Sequence, residues 1–271
     1  MQRRLKRMSK PEKAIYNPPI ARLEEYSGEY GRVYYGAEFC QWRLPAASSV
    51  VKAYEKARAL GMAFTLLTPW VTDAGLNRLE KIFRGLSDSG AESEVVINDM
   101  GALSLLAEKF PALTPVLGRL LSRQKRCPRV PGIIDGLPDA GREFYLHPGI
   151  EDPVASRFLK KFGIKRVELD SPLQGIEADL KAVRLKGSIY TPYAYVTITR
   201  NCPASFEDGK WQAYTGCRVK GCLKNIIELT NPAHGQPLLM HGNAQFVKSE
   251  TLPEDLRDMG IDRIVVMEDL P

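Results

Sequence analysis

The stretch that decides the fold runs from Arg32 to Thr68 and has the sequence RVYYGAEFCQWRLPAASSVVKAYEKARALGMAFTLLT. Its first part, Arg32–Phe39, is rich in β-branched and aromatic residues, which predicts a strand. Ala46–Leu60 then carries apolar residues at helical spacing, and Met62–Thr68 predicts a second strand. A strand, a helix and a strand joined in this way are typical of a βαβ unit with parallel strands.

The same alternation continues toward the end of the chain. Further strands are predicted at Glu94–Asn98, Thr114–Leu117, Lys165–Leu169, Tyr193–Thr199, Asn243–Val247 and Arg263–Met267, and further helices at Asp73–Gly85, Met100–Lys109 and Pro153–Phe162. Eight strands with short connections predict an α/β fold, a TIM-like (β/α)8 barrel. We expect residues 30–271 to form this single domain and residues 1–29 to be a basic N-terminal arm.

Composition limits the class of protein. The chain has 271 residues, and 38 Lys and Arg against 32 Asp and Glu give a net charge of +6. Basic residues concentrate in the N-terminal arm and in Arg119–Arg129, where they suit phosphate or an acidic partner, although a solvated face is more typical of such runs. There is no signal-like apolar segment and no apolar run long enough for a membrane span, so we expect a cytoplasmic protein with reduced thiols.

Four of the five cysteines suggest a shared metal centre. Cys202, Cys217 and Cys222 lie within a glycine-rich loop after a predicted strand, and Cys40 directly follows the first one. The carboxyl ends of parallel barrel strands open on one face, so these thiols can converge in an irregular Cys-rich loop region there. Four thiolates suit either a [4Fe–4S] cluster or zinc. The uneven spacing favours the cluster, while zinc and unrelated cysteines stay open.

Polar residues near the predicted strand ends are candidates for substrate binding. They are Arg43, Asn98, Asp99, Arg119, His241 and Asn243. The arginines suit a carboxylate ligand, and salt bridges around the rim are an equal alternative. For Asp99 a helix N-cap is favoured over catalysis, and for His241 a hydrogen-bonded structural role. Cys127 lies among basic residues, which lower the pKa of a thiol, but an ordinary cysteine is the favoured interpretation.

The first strand region resembles that of the collagenase-like peptidase family (the peptidase U-family): Val33-Tyr-Tyr-Gly-Ala-Glu-Phe-Cys40-Gln-Trp-Arg43. The segments Tyr195-Val-Thr-Ile-Thr-Arg-Asn-Cys202 and Thr215-Gly-Cys217-Arg-Val-Lys-Gly-Cys222 are similar to its short iron–sulfur branch, the UbiV/UbiU-like proteins. Similarity continues in Glu94-Val-Val-Ile-Asn-Asp99-Met-Gly101. The cysteine gaps are slightly longer than in that branch, and the basic arm is additional.

The resemblance implies a [4Fe–4S] cluster on Cys40, Cys202, Cys217 and Cys222 and a part in an oxygen-independent hydroxylation, for example of a quinone, as catalytic or accessory subunit. It also implies a larger homologous partner subunit and a small carboxylate, such as prephenate, as the hydroxyl donor. Other members of the family act on RNA, which makes an RNA- or tRNA-modifying protein one alternative and a zinc-binding scaffold another. Peptidase activity is not favoured, because the sequence lacks Gly-x-Ser-x-Gly and His-Glu-x-x-His.

Overall fold

Eight short β-branched and aromatic runs form a closed, all-parallel barrel in the computed structural model of the chain. The structure describes residues 10–207, 210–211, 217, 222 and 226–271. The strands of the barrel are β1 (Glu12–Tyr16), β2 (Arg32–Gly36), β3 (Ala63–Leu67), β4 (Glu94–Ile97), β5 (Thr114–Leu117), β6 (Arg166–Asp170), β7 (Lys186–Thr191) and β14 (Ile261–Val266). Their order is β1-β14-β7-β6-β5-β4-β3-β2, which confirms the TIM-like fold class.

Helices connect several of these strands and cover the outside of the barrel. They are α1 (Ala47–Ala59), α2 (Asp73–Asp88), α3 (Met100–Lys109), α4 (Asp139–Leu146) and α5 (Pro153–Lys161), with 3-10 turns at Ile20–Glu25, Gln41–Arg43, Val130–Gly132, Ile134–Gly136, Gly149–Glu151 and Pro203–Ser205. Asp99 caps α3 by accepting the Ala102 amide at 3.0 Å, as predicted. Asp73 begins α2 but is not its cap, since that position is Thr72. No helix in the described ranges has the length and apolar character to cross a membrane.

A second, antiparallel sheet packs on the carboxyl end of the barrel. Its strands are β8 (Tyr193–Ile198), β11 (Ile226–Leu229), β12 (Leu238–His241) and β13 (Ala244–Lys248), in the order β11-β12-β13-β8, and β9 (Phe206–Glu207) pairs with β10 (Lys210–Trp211) in a small ribbon. Tyr195 and Phe246 from this sheet pack with Phe39, which follows β2, and with Leu270, which follows β14. The second sheet is therefore fixed to the same mouth at which barrel strands end.

The number of barrel strands, eight, was predicted correctly, but two of the strands assigned to the barrel do not belong to it. Tyr193–Thr199 and Asn243–Val247 belong to the second sheet, where they pair antiparallel with each other. The barrel instead uses β7, whose sequence Lys-Gly-Ser-Ile-Tyr-Thr has few apolar residues, and β1, which lies inside the predicted N-terminal arm. The arm therefore does not extend over residues 1–29, because Glu12–Tyr16 pairs with both β14 and β2.

Side chains alternate between two cores. Val33 of β2 packs toward the helices, whereas Tyr34 enters the barrel interior with other aromatic and aliphatic residues. Charged residues close the amino end of the barrel, where Arg263 binds Glu12 at 2.6 Å and Glu94 at 2.6 Å. The interior is thus filled, and space for a ligand lies outside the barrel, at the mouths.

Candidate four-cysteine site

Cys40 and Cys202 each begin a 3-10 turn just after a strand. Cys40 follows β2 and precedes Gln41–Arg43, and the Arg43 amide donates to its carbonyl oxygen at 3.1 Å. Cys202 follows β8 and precedes Pro203–Ser205, where the Ser205 amide and hydroxyl donate to the Cys202 carbonyl at 2.9 and 2.8 Å. Cys202 therefore comes from the second sheet rather than from a barrel strand, which corrects the geometric reason for its meeting Cys40.

The structure brings all four cysteines to one cavity. Cys40, Cys202, Cys217 and Cys222 line a space of about 230 Å³ between the barrel mouth and the second sheet. The cavity is bordered by Phe39, Trp42, Arg43, Ser205, His241, Gly242, Asn243 and Pro271. All five cysteines of the chain are thiols rather than disulfides. Cys40, which is remote in sequence, and the three cysteines of residues 202–222 thus supply four sulfur donors to the same space.

The electrostatics around the thiols work in two directions. Burial raises the pKa of Cys40, and the charge of Cys217 adds to the rise. The amides of Trp42 and Arg43 oppose the rise, because they donate hydrogen bonds to the sulfur. Burial also raises the pKa of Cys222, against the positive charge of Arg43. Thiol deprotonation is required for metal binding, and Arg43 and the two amides are groups that favour the thiolate.

The backbone leaves room beside one of the sulfurs. Gly242 has a φ of +59°, and a Cβ added there would lie 3.1 Å from the Cys222 sulfur. The donor set, four sulfurs around a polar-rimmed cavity, fits an iron–sulfur cluster or zinc. In the described part of the chain, no three Cys, His, Asp or Glu side chains form a group that could hold a single metal ion. The four thiols share one cavity.

Three of the six other predicted site residues lie at this cavity: Arg43, His241 and Asn243. His241 is buried, its Nδ1 lies 2.6 Å from the Pro271 carbonyl oxygen, and its Nε2 has no hydrogen-bond partner within the residues that the structure covers. Asn98 and Asp99 lie elsewhere. The Asn98 amide donates to the Thr68 carbonyl at 2.9 Å, and its oxygen accepts the Leu120 amide, so it links loops of the barrel mouth.

Arg119 is fully buried beside the site, in an ion-pair network. Its guanidinium binds both oxygens of Glu38 and one oxygen of Asp170, the latter at 2.9 Å. Arg126 binds the other Asp170 oxygen at 2.9 Å. Glu38 and Asp170 were not among the predicted residues. Their position at the ends of β2 and β6 could have indicated them, since charged residues at barrel strand ends are commonly functional or paired.

The fifth cysteine, Cys127, lies apart from the cavity. It packs against a small apolar cluster that includes Val130, and it makes a hydrogen bond with the Arg129 side chain. The pKa of Cys127 is lowered, with partial burial opposing the bonds from Arg129. Its basic surroundings agree with the sequence expectation, and its distance from the other thiols leaves four cysteines, not five, in the candidate site.

Comparison with known proteins gives a fold likeness. No family model matches the sequence, and no curated protein matches it. Among solved structures, the U32 peptidase Mk0906 has a TM-score of 0.53 and 14% identity, covering 100% of this chain and 98% of that chain. A phosphodiesterase from Oleispira antarctica, in complex with sn-glycerol-3-phosphate, has a TM-score of 0.42 and 11% identity, covering 67% of this chain and 84% of that chain.

A xylose isomerase domain containing protein from Salmonella typhimurium has a TM-score of 0.40 and 9% identity, covering 97% of this chain and 89% of that chain. The likeness to the U32 peptidase extends over the whole chain, and at its level of identity it shows the architecture. The barrel, with its helices between parallel strands, is therefore shared with a protein of similar length.

Proposed function

We propose that Cys40, Cys202, Cys217 and Cys222 hold a [4Fe–4S] cluster and that the protein takes part in an oxygen-independent hydroxylation in the cytoplasm. The observation that carries the proposal is the convergence of these four thiols on one cavity. Clusters of this type are held by four cysteine thiolates, and bound clusters supply one-electron chemistry. Zinc is the alternative occupant.

The shape of the site favours the larger occupant. Structural zinc draws four ligands to about 2.0–2.3 Å from one point. Here the four thiols line a cavity of about 230 Å³. A cluster can be bound by ligands from separate loops. Cys40 and Cys202 lie in such separate loops, after β2 and after β8.

The hydroxylation role rests on motifs together with architecture. The segments around Cys40 and Cys202 resemble the iron–sulfur branch of the collagenase-like peptidase family, and the fold is similar to that of a U32 peptidase. Arg43 lies at the cavity and suits a carboxylate-bearing donor such as prephenate, because a guanidinium pairs carboxylates in a bidentate way. We propose either catalysis by this chain or an accessory role beside a larger homologous subunit. Proteolysis is not part of the proposal.

An RNA-binding function has less support from the contacts. Arg119 and Arg126, two of the cations in the basic stretch, are committed to the buried carboxylates Glu38 and Asp170. Phosphate binding requires exposed cations that release counterions. The nine residues that begin the basic arm lie outside the described residues.

The cluster is tested by anaerobic purification and reconstitution with ferrous iron and sulfide. We expect a brown protein with about four iron and four sulfide per chain, the content of a [4Fe–4S] cluster. Single Cys→Ser changes at the four positions should each lower this content severalfold. Cys127→Ser is the matched control and should leave it unchanged. A colourless protein that contains only zinc would show that the cluster proposal is wrong.

A further inference from the structure

The turn between β12 and β13 touches three of the four cysteine-bearing segments. β12 ends at His241 and β13 begins at Ala244, so Gly242 and Asn243 form a two-residue hairpin turn. The Asn243 side-chain nitrogen donates to the Phe39 carbonyl oxygen at 2.8 Å and to the Thr199 carbonyl oxygen at 3.0 Å. Phe39 directly precedes Cys40, and Thr199 lies three residues before Cys202.

The chemistry of these contacts requires an amide at position 243. One nitrogen with two N–H groups donates to two carbonyl oxygens at once, which a hydroxyl or a carboxylate is unable to do. The backbone of Asn243 adds a further link, since its carbonyl oxygen accepts the Thr199 amide at 2.9 Å. The side chain thereby joins the end of barrel strand β2 to the end of β8, which belongs to a different sheet.

The neighbouring glycine serves the third segment. A Cβ at position 242 would come within 3.1 Å of the Cys222 sulfur, and the φ of +59° is one that glycine adopts at no steric cost. A side chain there would strain the backbone of the turn, and it would also crowd the Cys222 thiol. Asn243 therefore contacts the segments of Cys40 and Cys202, and Gly242 lies beside Cys222.

We infer that Asn243 is a positioning residue that sets the separation of Cys40 and Cys202, while Gly242 leaves the space that Cys222 occupies. The inference deepens the proposed function and rests on it for the identity of the bound group. It also changes the expectation for Asn243, from a residue that binds substrate to one that acts through the cysteines. Residues outside the ligand shell that orient ligands typically change metal affinity by roughly 10- to 100-fold when replaced.

Asn243→Asp is the informative variant, because the carboxylate has the same shape but accepts where the amide donates. After anaerobic reconstitution we expect iron to pass to a chelator about tenfold faster than from the unchanged protein, the smaller end of the range for such residues. Asn231→Asp is the matched control. Asn231 is exposed on a loop and its oxygen accepts the Ala233 amide at 2.9 Å, a bond that aspartate keeps. The control should lose iron at the original rate.

A second readout needs no metal. In the apo-protein, the alkylation rates of individual thiols are measured by mass spectrometry after treatment with iodoacetamide. Asn243→Asp should increase the rates at Cys40 and Cys202 severalfold, and Cys127 serves as the internal reference with an unchanged rate. Circular dichroism establishes that the variant is folded; if it is not, Asn243→Ala, which removes the same donors without adding a charge, replaces it with the same expected result. Gly242→Ala tests the role of the glycine, with a severalfold change in rate at Cys222 as the expected result.

The two proposals fail separately. If the unchanged protein takes up no cluster but the alkylation pattern appears, the positioning role stands and the cluster proposal falls. A folded Asn243→Asp variant with original alkylation rates and original iron retention would overturn the positioning role and leave the cluster proposal intact.

Discussion

Arg119 is the largest of the fully buried side chains in the described part of the protein, and its charge is balanced entirely from within. Glu38 and Asp170 bind it, and the ring of Tyr190 lies 3.8 Å from its guanidinium carbon. Glu38 is two residues from Cys40, so the ion pair also anchors the loop that carries this thiol. For Arg119 the sequence left substrate binding and a salt bridge as equal alternatives, and the structure shows it in buried salt bridges.

Replacing Arg119 by methionine should destabilise the protein strongly. The change keeps a long apolar stem but leaves the buried Glu38 without its ion-pair partner and Asp170 with Arg126 alone. Breaking a buried pair in this way costs about 3–5 kcal/mol. Urea unfolding of the apo-protein measures the free energy of unfolding. The control is Arg84→Ala, which removes an exposed pair to Glu80 and should cost at most about 0.5 kcal/mol. Equal effects of the two changes would contradict the buried-pair role.

Glu168 gives the barrel interior a pH dependence. Burial raises its pKa to about 7, with Arg263 and Arg166 opposing and Glu94 adding to the rise. One of its oxygens lies 3.1 Å from the Tyr34 hydroxyl oxygen, while the other has no hydrogen-bond partner among the residues described. Since the pKa of Glu168 in the folded protein lies above the ordinary value of 4.5, the folded protein binds the carboxyl proton more tightly than the unfolded chain does.

The contribution of Glu168 to the free energy of unfolding is therefore fully present below pH 4.5, and it is lost as the pH rises to about 7. A shift of this size corresponds to roughly 3 kcal/mol. Glu168→Gln keeps the shape and removes the titration. We expect the stability of the unchanged protein, relative to this variant, to fall by that amount over this pH range in urea unfolding experiments. A constant difference between the two proteins would contradict the raised pKa.

At the scale of elements, the end of β2 is tightly constrained by its neighbour β3. Gly36 has a φ of +142°, and a Cβ there would overlap the backbone carbonyl oxygen of Leu67 in β3. We expect Gly36→Ala to destabilise the protein by about 2 kcal/mol or more. The strain of alanine at this positive φ exceeds the stabilisation that a Gly→Ala change brings by lowering the entropy of the unfolded chain. Gly31→Ala is the matched control. It meets open space, and it should change stability by less than about 1 kcal/mol in either direction.

The sequence predicted most elements near the site, and the errors have physical reasons. Met100–Lys109 and its cap Asp99 were predicted with their observed bounds, because capping and apolar period agree there. Tyr193–Thr199 was recognised as a strand but assigned to the barrel, since alternation does not reveal which sheet a strand joins. β7 precedes it with only one residue between them and was not predicted, because its sequence has few apolar residues.

At the scale of the whole molecule, the four thiols could be listed from the sequence, but their meeting could not be derived from it. Cys40 follows a barrel strand as predicted, whereas Cys202 arrives from a sheet that packs on the barrel mouth. That packing depends on contacts between distant residues, such as Phe39 with Phe246 at a ring separation of 5.1 Å. Such contacts leave no local pattern in the chain.

The division between barrel and site leads to a prediction about the cysteines as a set. None of the four lies in a barrel strand or in one of the α-helices around the barrel, and the main hydrophobic core lies between the barrel strands and these helices. Stability should therefore come from the barrel, in contrast to small domains that fold only when metal is bound.

A variant with all four site cysteines changed to serine should keep its far-UV circular dichroism and unfold cooperatively in urea. Hydrogen exchange should increase only in the second sheet, around β12 and β13. Loss of cooperative unfolding would mean that the thiols or their bound group hold the barrel itself together.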